Sequence, residues 1–325
     1  MTLPLVLIVS PGLAADNNGN WQTARRWSQM LRGVARTRIL QHWPAPGEGG
    51  EAAALMLALH ARRSADSIEA WASSHPGRGL AVVLTGTDLY QDIQNDASAQ
   101  RSLALAQQLV VLQEKGPHVL PPNYRDKTRV MFQSTTTRQT LPKSPQFLKA
   151  VMVGHLREVK SPQTLYEAAR LLAMQADIRI DHLGAALDAE LGEQARQTAQ
   201  VCPSYRWLGA VTHEATRRRI QRAHVLVHCS RMEGGAHVVM EAVCSGTPVL
   251  ASKVDGNVGM LGADYAGYFP WGDAQALAHL LQRCRDDASF LSGLRAQCEA
   301  RTPLFHPARE QAALIDLIKD LTQKP

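Results

Sequence analysis

The chain has 325 residues, of which 45% are hydrophobic and 20% are charged, a composition typical of folded globular proteins that excludes an intrinsically disordered chain. No stretch reaches the ~18 consecutive apolar residues of a membrane-spanning helix, which excludes that class as well. The formal net charge of +6 suits nucleic acid, a membrane surface or a small polyanionic substrate, but aromatic residues at 5% make nucleic acid the least favoured of the three.

Short apolar runs alternate with amphipathic stretches along the first half of the chain, a pattern that predicts a parallel sheet covered by helices. A helix is predicted to begin at Asn20, a good N-cap residue, because Ala24, Trp27, Leu31 and Val34 then share one face. The predicted strands of this half are Leu3–Val9, Thr37–Leu40, Leu80–Thr85, Leu109–Leu112 and Val130–Gln133.

The second half repeats this alternation after a polar, proline-containing segment, Ser134–Gln146, which predicts a linker. Amphipathic helices are predicted at Pro162–Met174 and Pro307–Thr322. The predicted strands of this half are Ala150–Val153, Ile178–His182, Tyr205–Leu208, His224–His228 and Pro248–Ala251.

The two alternating halves predict an α/β protein made of two Rossmann-like domains that face each other across a central cleft. The first domain is expected to span residues 1–140 and the second residues 147–305, with a final helix at 306–325 that packs back toward the first. Ligands of such sheets bind at the carboxyl ends of the strands, which here means the cleft between the domains.

The strongest signal for a ligand site is the run from Glu233 to Glu241, which follows a predicted strand and leads into a helix. Gly234 and Gly235 let the backbone come close to a ligand, and the N-terminus of the helix that follows offers free amides to an anion. Both carboxylates can accept hydrogen bonds from sugar hydroxyls. The same spacing also fits a capped helix with a solvated Glu241, so the residues alone leave both interpretations open.

The segment that begins at Glu233 resembles the donor-binding half of retaining family-4 glycosyltransferases with the GT-B fold. Glu233 and Glu241 match the E-x7-E motif of that family, and the Gly-Thr-Pro-Val run that follows matches as well. The resemblance implies that Glu233, with the backbone of Gly234, Gly235 and Ala236, holds the sugar. It also implies that Glu241 binds the ribose of the nucleotide.

A second candidate site is the loop Gly154–Pro162, in which Arg157 and Lys160 are three residues apart. Breaking a sugar–phosphate bond places negative charge on the departing nucleotide diphosphate, and fixed cations that stabilise this charge accelerate the reaction. The loop also resembles the G-R-L…E-K pattern of the same family. We therefore expect Arg157 and Lys160 to be catalytic cations.

A third candidate is Asp88, which lies in the sequence Thr85-Gly86-Thr87-Asp88 after a predicted strand. We consider it a candidate catalytic residue, with capping of a turn as the structural alternative. Related thiol-precursor glycosyltransferases carry a similar G-T-D but have His where Thr85 stands. The missing imidazole weakens any mechanism that needs a general base to deprotonate a hydroxyl acceptor.

The fourth candidate is the asparagine-rich segment Asp16–Trp27, which follows the first strand where the family places a glycine-rich loop. Here Gly19, Asn20, Thr23 and Arg26 lie within two turns of a helix N-terminus. Free amides and a cation in this position would form a nest for a second small anion, the acceptor.

Together these segments resemble one subgroup over nearly the full chain, the selenosugar synthases (SenB) of selenoneine biosynthesis. The resemblance implies coupling of a UDP-sugar, expected to be UDP-N-acetylglucosamine, with selenophosphate to give a 1-selenosugar, UDP and phosphate. It further implies hand-over of the product to the next enzyme of that pathway. Selenophosphate is already anionic at neutral pH, so its selenium needs no general base, in agreement with Thr85. The stereochemical outcome, the preferred sugar and the oligomeric state stay open.

Cofactor and partner expectations follow from motifs that the chain lacks. No Asp-x-Asp motif ends a predicted strand and no cluster has metal-ligand spacing, so we expect metal-independent action without a cofactor. Neither half has Gly-x-Gly-x-x-Gly after its first strand, which argues against a nicotinamide dehydrogenase. The five cysteines form no C-x-x-C pair, which favours a reduced, cytoplasmic compartment. We expect small-molecule substrates and neither nucleic acid nor a membrane as partner.

Three other functions are compatible with the same residues. A family-4 glycosyltransferase could act on a small thiol or hydroxyl acceptor, and a nucleotide-sugar-binding protein could keep the fold without turnover. A nucleotide-sugar 2-epimerase shares the fold but would leave UDP attached to its sugar. Release of UDP and the presence of selenium in the product distinguish these functions.

Overall fold

The computed structural model describes residues 3–14, 19–44 and 52–323. The chain divides into two compact units, one formed by residues 1–134 with 307–325 and the other by residues 135–306. Each unit contains one six-stranded sheet. Within the described residues, no helix is both long enough and apolar enough to cross a membrane.

The sheet of the first unit is entirely parallel. Its strands are β1 Leu5–Val9, β2 Arg36–Leu40, β3 Leu55–Leu59, β4 Gly79–Leu84, β5 Gln108–Val111 and β6 Thr128–Val130. They lie in the order β2-β1-β3-β4-β5-β6. The sheet therefore places the carboxyl ends of β3 and β4 side by side.

Two strands of this sheet differ from the sequence prediction by more than one or two residues at one end. Strand β3 was not predicted, because its run Leu-Met-Leu-Ala-Leu is buried on both faces and consists of residues that also favour helices. Strand β6 begins at Thr128 and ends at Val130, whereas Val130–Gln133 was predicted. The predicted run ends beyond the sheet, where the chain leaves the first unit.

Five helices in the described part of the first unit lie between consecutive strands. They are α1 Gly19–Met30, α2 Ala65–Ser74, α3 Ile93–Asn95, α4 Ala97–Leu105 and α5 Gly116–Val119, with one π-helical turn at Asp88–Asp92. Ala24 and Trp27 are buried on α1 as predicted, but the helix ends before Leu31, and Val34 is exposed. Because α1 begins at Gly19, Asn20 lies in its first turn and is not the N-cap, a correction to the prediction.

The two faces of this sheet carry separate hydrophobic layers, as the two-residue period of a strand requires. Leu7 and Val82 point to the layer that contains α2 and α4. Ile8 and Val83 point to the opposite layer, which contains Trp27 of α1.

The second unit is also built on a fully parallel sheet. Its strands are β7 Leu148–Val153, β8 Ile178–Leu183, β9 Tyr205–Trp207, β10 Val225–His228, β11 Val249–Ser252 and β12 Tyr268–Phe269. Its helices are α6 Pro162–Leu171, α7 Ala189–Val201, α8 His213–Arg222, α9 His237–Val243, α10 Asp255–Leu261, α11 Ala274–Asp286 and α12 Ala288–Glu299. Helix α6 ends three residues before the predicted Met174, whose side chain is exposed.

The strand order of this sheet, β12-β11-β10-β7-β8-β9, reverses direction between β10 and β7. At such a switch point the connections leave the sheet toward opposite faces, and the gap between them at the carboxyl ends is where ligands of α/β sheets bind. The loops after β7 and after β10 therefore flank the expected ligand position of this unit.

The segment predicted as a linker contains no helix or strand over residues 135–144, but it is hydrogen-bonded within the second unit. The amide of Arg138 donates to the carbonyl of Cys244 at 2.9 Å, and that of Leu141 donates to the carbonyl of Gln221 at 3.2 Å. This part of the chain is thus fixed to the unit that it precedes.

The last helix, α13 Pro307–Gln323, belongs to the first unit. Leu314, Leu317 and Leu321 are buried in the same layer as Trp27. A side chain at Gly79 would meet the backbone carbonyl of Leu321 at 2.8 Å, so this helix lies directly on the start of β4.

Candidate functional site

Two of the predicted motifs meet at the switch point of the second unit. Strand β7 pairs with β10 through Val151 and Leu226, so the loops that follow them leave the same edge of the sheet. The amide of Arg231 donates to the carbonyl of Val159 at 2.9 Å and joins the two loops. The loop with Arg157 and Lys160 is thereby held against the loop with Glu233.

Lys160 and Glu233 form an ion pair at this point, with 2.5 Å between Nζ and Oε1. His228 Nε2 lies 3.2 Å from the same oxygen. Burial alone would raise the pKa of Glu233, but the Lys160 ammonium and His228 outweigh burial and hold the pKa well below its usual range. The site thus presents a buried carboxylate that stays ionised at neutral pH.

The backbone of Glu233 is held by the start of helix α10. A Cβ atom added to Gly256 would lie 2.0 Å from the carbonyl oxygen of Glu233, so only glycine allows this approach. Behind it, the Asn257 side chain donates to the carbonyl of Ser252 at 2.9 Å, and Ser252 Oγ donates to the carbonyl of Ser230 at 2.6 Å. These bonds fix the loop that carries Glu233.

Two buried polar atoms in this loop network have no hydrogen-bond partner within the described ranges of the chain. They are Ser230 Oγ and Asn257 Oδ1. Buried polar atoms in folded proteins are almost always paired, so a cluster of unpaired ones indicates a polar ligand or ordered water nearby. Both belong to the hydrogen-bonded loops that hold Glu233.

Arg157 lies at the start of the 3₁₀ turn that contains Lys160. Its side chain is exposed, and it makes no ion pair or hydrogen bond with any residue that the structure describes. The two predicted cations therefore differ, since Lys160 is engaged by Glu233 whereas Arg157 is open to solvent.

Glu241 forms a second buried carboxylate, and it is only 4% exposed. Its Oε1 lies 2.6 Å from His213 Nε2, 3.4 Å from His237 Nδ1 and 3.5 Å from Arg217 Nη1. Burial raises the pKa of Glu241, but hydrogen bonds from the two histidines and the charge of Arg217 lower it to about 2. The bond to Glu241 in turn raises the pKa of His213.

The backbone that precedes α9 departs from the expectation for a sugar-binding turn. The amide of Ala236 donates to Met260 Sδ at 3.1 Å and is therefore not free. Gly234 is buried and Gly235 half-buried, while the helix begins at His237. Among the predicted sugar contacts, the Ala236 amide is thus already hydrogen-bonded within the protein, whereas the Glu233 carboxylate is held in its ionised form.

The Asp88 side chain is buried in the first unit and hydrogen-bonded to the backbone. It is completely buried, and its carboxylate accepts the amides of Ala61 at 2.9 Å, Thr85 at 2.9 Å and Gly86 at 2.8 Å. Three backbone donors use the carboxylate to tie the end of β3 to the end of β4. These contacts support the structural alternative, and the catalytic role of Asp88 stays a prediction.

The predicted acceptor contacts on α1 are also engaged by the protein. Arg26 binds Glu310 of α13 through two nitrogens, with Nε–Oε2 at 2.9 Å and Nη2–Oε1 at 3.0 Å. Thr23 is buried, donating to the carbonyl of Gly19 at 2.8 Å and accepting from Gln133 at 2.5 Å. Thr23 and Arg26 were predicted to bind a small anion, but their polar groups already have partners within the protein. Residues 16–18 of the same segment lie outside the described residues.

Glu310 explains why Arg26 is held in place. This carboxylate is 1% exposed and also accepts from Trp27 Nε1 at 2.7 Å and from the amide and hydroxyl of Ser134 at 2.7 and 2.6 Å. A buried carboxylate needs such a complete set of donors. The ion pair is therefore part of the packing of α13 on α1.

Sequence reasoning did not assign three histidines of the second unit to the site. His237 is four residues before Glu241 on the same helix, a spacing that could have indicated their contact. His213 and His228 reach the two glutamates from α8 and β10, and no local pattern marks them. Among the described residues, no three side chains of the metal-binding types come together as a metal site.

Comparison with protein families gives one match, to a model described as "Glycosyl transferases group 1", over residues 133–302. No curated protein matches the chain. The match contains the Lys160–Glu233 pair and the cluster around Glu241.

Solved structures resemble the whole chain in fold. Anabaena HepE in complex with UDP-glucose has a TM-score of 0.77 at 14% identity, covering 98% of this chain and 100% of that one. A sucrose-phosphate synthase from Thermosynechococcus elongatus has a TM-score of 0.78 at 19% identity, covering 98% and 99%. The pneumococcal O-GlcNAc transferase GtfA in complex with UDP and GlcNAc has a TM-score of 0.65 at 16% identity, covering 83% and 57%. With the two parallel sheets, these similarities confirm the predicted two-domain α/β fold of the GT-B class.

Proposed function

Since this chain belongs to glycosyl transferases group 1, we propose that it is a selenosugar synthase of selenoneine biosynthesis, which couples a UDP-sugar with selenophosphate. The selenium attacks the anomeric carbon, the bond from that carbon to UDP breaks, and its electron pair leaves on UDP. Water then cleaves the phosphorus–selenium bond, giving a 1-selenosugar and phosphate.

The observation that carries the donor half of this proposal is the ionised Glu233 beside Lys160 at the switch point of the second unit. A carboxylate that cannot take up a proton at neutral pH accepts hydrogen bonds from sugar hydroxyls. Lys160 and the exposed Arg157 supply positive charge on the loop beside it. In this proposal they stabilise the diphosphate as it leaves.

The nucleotide half rests on Glu241. With its pKa at about 2 it is ionised across the physiological range and can accept both ribose hydroxyls. Structures with the same fold were solved with UDP-glucose and with UDP and GlcNAc, which supports a UDP-sugar as donor. We propose UDP-N-acetylglucosamine as the preferred one, with no metal or other cofactor in the reaction.

The acceptor half rests on the resemblance of the sequence segments to selenosugar synthases and on Thr85, where related thiol-precursor enzymes have histidine. An acceptor that is already anionic needs no base at that position. The surface of the first unit must then supply groups that bind an anion.

The deciding experiment mixes the protein anaerobically with UDP-N-acetylglucosamine and freshly generated selenophosphate, and follows UDP release and products by mass spectrometry. A selenium isotope pattern on an N-acetylhexosamine is the expected result. Glu233→Gln and Lys160→Met should abolish it, whereas Lys319→Met, on the exposed side of α13, should not. UDP release with no selenium in the product would refute the acceptor, and no UDP release from any UDP-sugar would refute the transferase.

A further inference from the structure

The anionic acceptor of the proposed reaction needs partners in the first unit other than Arg26, because Glu310 already engages that guanidinium. The carboxyl ends of parallel strands are where such sheets bind ligands. At the ends of the neighbouring strands β3 and β4 lie His60, Arg63 and Thr87. His60 and Arg63 lie outside the sequence motifs, and in the motif that contains Thr87 the predicted site residue was Asp88.

His60 follows β3 in a strained conformation. Its φ is 74°, in the left-handed region that residues other than glycine rarely adopt, and its side chain is buried. Such conformations persist only where the surrounding structure imposes them, and they cluster at functional sites. The backbone here holds the imidazole at one position between β3 and β4.

The hydrogen bonds of His60 define where its proton lies. The amide of Arg63 donates to Nδ1 at 3.3 Å, so Nδ1 is the acceptor nitrogen. Burial lowers the pKa of His60, which keeps the ring neutral, and the proton is then on Nε2. Nε2 lies 3.2 Å from Thr87 Oγ1 and donates to it.

Thr87 is thereby left with a hydroxyl proton to donate. It occupies the position before the π-helical turn at Asp88–Asp92, but its side chain does not cap that turn. Within the described ranges, His60 is the one side-chain partner of its hydroxyl, and Thr87 is half-buried. A hydroxyl that accepts from an imidazole is oriented to donate its own proton away from it.

Two carboxylates lie near this hydroxyl, since Asp88 and Asp92 are each 3.9 Å from the His60 ring, but other groups of the protein engage both of them. Asp88 is enclosed by backbone amides, and Asp92 is paired with Arg62 at 3.0 Å. The Arg63 side chain is exposed and has no ion pair or hydrogen bond with the part of the chain that the structure describes. Among the described residues, Arg63 is therefore a cation at this edge that no neighbouring carboxylate neutralises.

We propose that the Thr87 hydroxyl and the Arg63 guanidinium bind the phosphate-type oxygens of the anionic acceptor, and that His60 is a positioning residue that orients Thr87. The identity of the acceptor in this assignment rests on the proposed function. The existence of an anion site at Thr87 and Arg63 does not depend on that function.

The kinetic test compares KM for selenophosphate with KM for UDP-N-acetylglucosamine. Thr87→Val and Arg63→Gln should each raise the former about tenfold or more, as expected for a lost hydrogen bond to a charged group, and leave the latter unchanged. Thr322→Val and Arg101→Gln are matched controls on exposed helix positions of the same unit and should change neither. An unchanged KM for selenophosphate in both Thr87→Val and Arg63→Gln would overturn the proposal.

The role of His60 is tested by two substitutions that imitate different ring nitrogens. His60→Gln can place an amide donor near Nε2 and should keep the low KM for selenophosphate. His60→Asn tolerates the left-handed backbone and can accept from Arg63, but it cannot reach Thr87, so its KM should rise. Equal damage in both variants would show a purely structural role and overturn the positioning assignment.

A binding measurement separates this site from the proposed reaction. Inorganic phosphate is titrated calorimetrically into the UDP-loaded protein and into the variant carrying both Thr87→Val and Arg63→Gln. Binding that is lost in the variant supports the anion site even if the wild type forms no selenosugar, in which case only the proposed function fails. Equal binding by both proteins, or none by the wild type, overturns the site.

Discussion

Removal of Lys160 should leave Glu233 as a buried charge without its cation. At about 3 Å and an effective dielectric constant of about 20, Coulomb's law gives roughly 5–6 kcal/mol for such a pair. The Lys160 and Glu233 side chains are 19% and 10% exposed, so part of this energy is screened. We expect Lys160→Met to lower the free energy of unfolding by about 3 kcal/mol at pH 7.5.

The loss of stability in Lys160→Met should depend on pH, and the pKa of Glu233 determines in which direction. In the wild type the pKa of Glu233 is depressed, so its stabilising contribution is complete above the unfolded pKa and is lost only as the pH falls through the folded pKa. Without Lys160, only His228 opposes the effect of burial, so the pKa of Glu233 rises relative to the wild type. The carboxylate then takes up a proton as the pH falls, and each pH unit below the raised pKa recovers about 1.4 kcal/mol.

The assay is urea unfolding of the wild type, Lys160→Met, Glu233→Gln and the double variant at pH 7.5 and pH 5. The deficit of Lys160→Met should shrink at pH 5, and in the Glu233→Gln background it should fall below about 1 kcal/mol. A deficit that is the same at both pH values, or the same in both backgrounds, would refute an electrostatic origin and indicate lost packing of the lysine stem.

Four further outcomes are expected. The melting-temperature deficit of His213→Gln should be largest below pH 6.5 and should shrink as the pH rises through the pKa of His213, which its bond to Glu241 raises. Gly256→Ala should abolish turnover in a folded protein, because its methyl group would meet a backbone carbonyl at 2.0 Å, whereas Gly293→Ala, with open space on α12, should raise stability by about 0.5–1 kcal/mol. Arg26→Met should lower stability while leaving KM for selenophosphate unchanged, which enzyme kinetics beside urea unfolding measures. Prolonged dialysis against EDTA should leave the rate of UDP release unchanged.

Each of these outcomes has a contrary result. A deficit of His213→Gln that does not vary with pH would disconnect this histidine from the buried carboxylate. Full activity of Gly256→Ala would show that the loop tolerates displacement, and a raised KM for selenophosphate in Arg26→Met would restore that residue as an acceptor contact. Loss of UDP release in EDTA, recovered by one divalent cation, would refute metal independence.

The sequence was sufficient for the architecture because most buried strands carry β-branched runs bounded by turns. Strand β3 escaped because a central strand made of leucine, methionine and alanine has no alternation to distinguish it from a buried helix. The predicted roles of Arg26 as an acceptor contact and of Asp88 as a catalytic residue also came from local sequence alone. A charged residue in a conspicuous motif does not reveal its partner, and the partner of Arg26 lies 284 residues away.

The two glutamates of the E-x7-E motif show what the fold adds to the motif. Both are buried, and burial by itself would favour their neutral forms. Glu233 is kept ionised by a lysine that only the pairing of β7 with β10 brings near, and Glu241 by histidines from α8 and α9. Because a neutral carboxyl could not accept from all the hydroxyls of a sugar or ribose, these cationic partners are as necessary to the proposed site as the glutamates themselves.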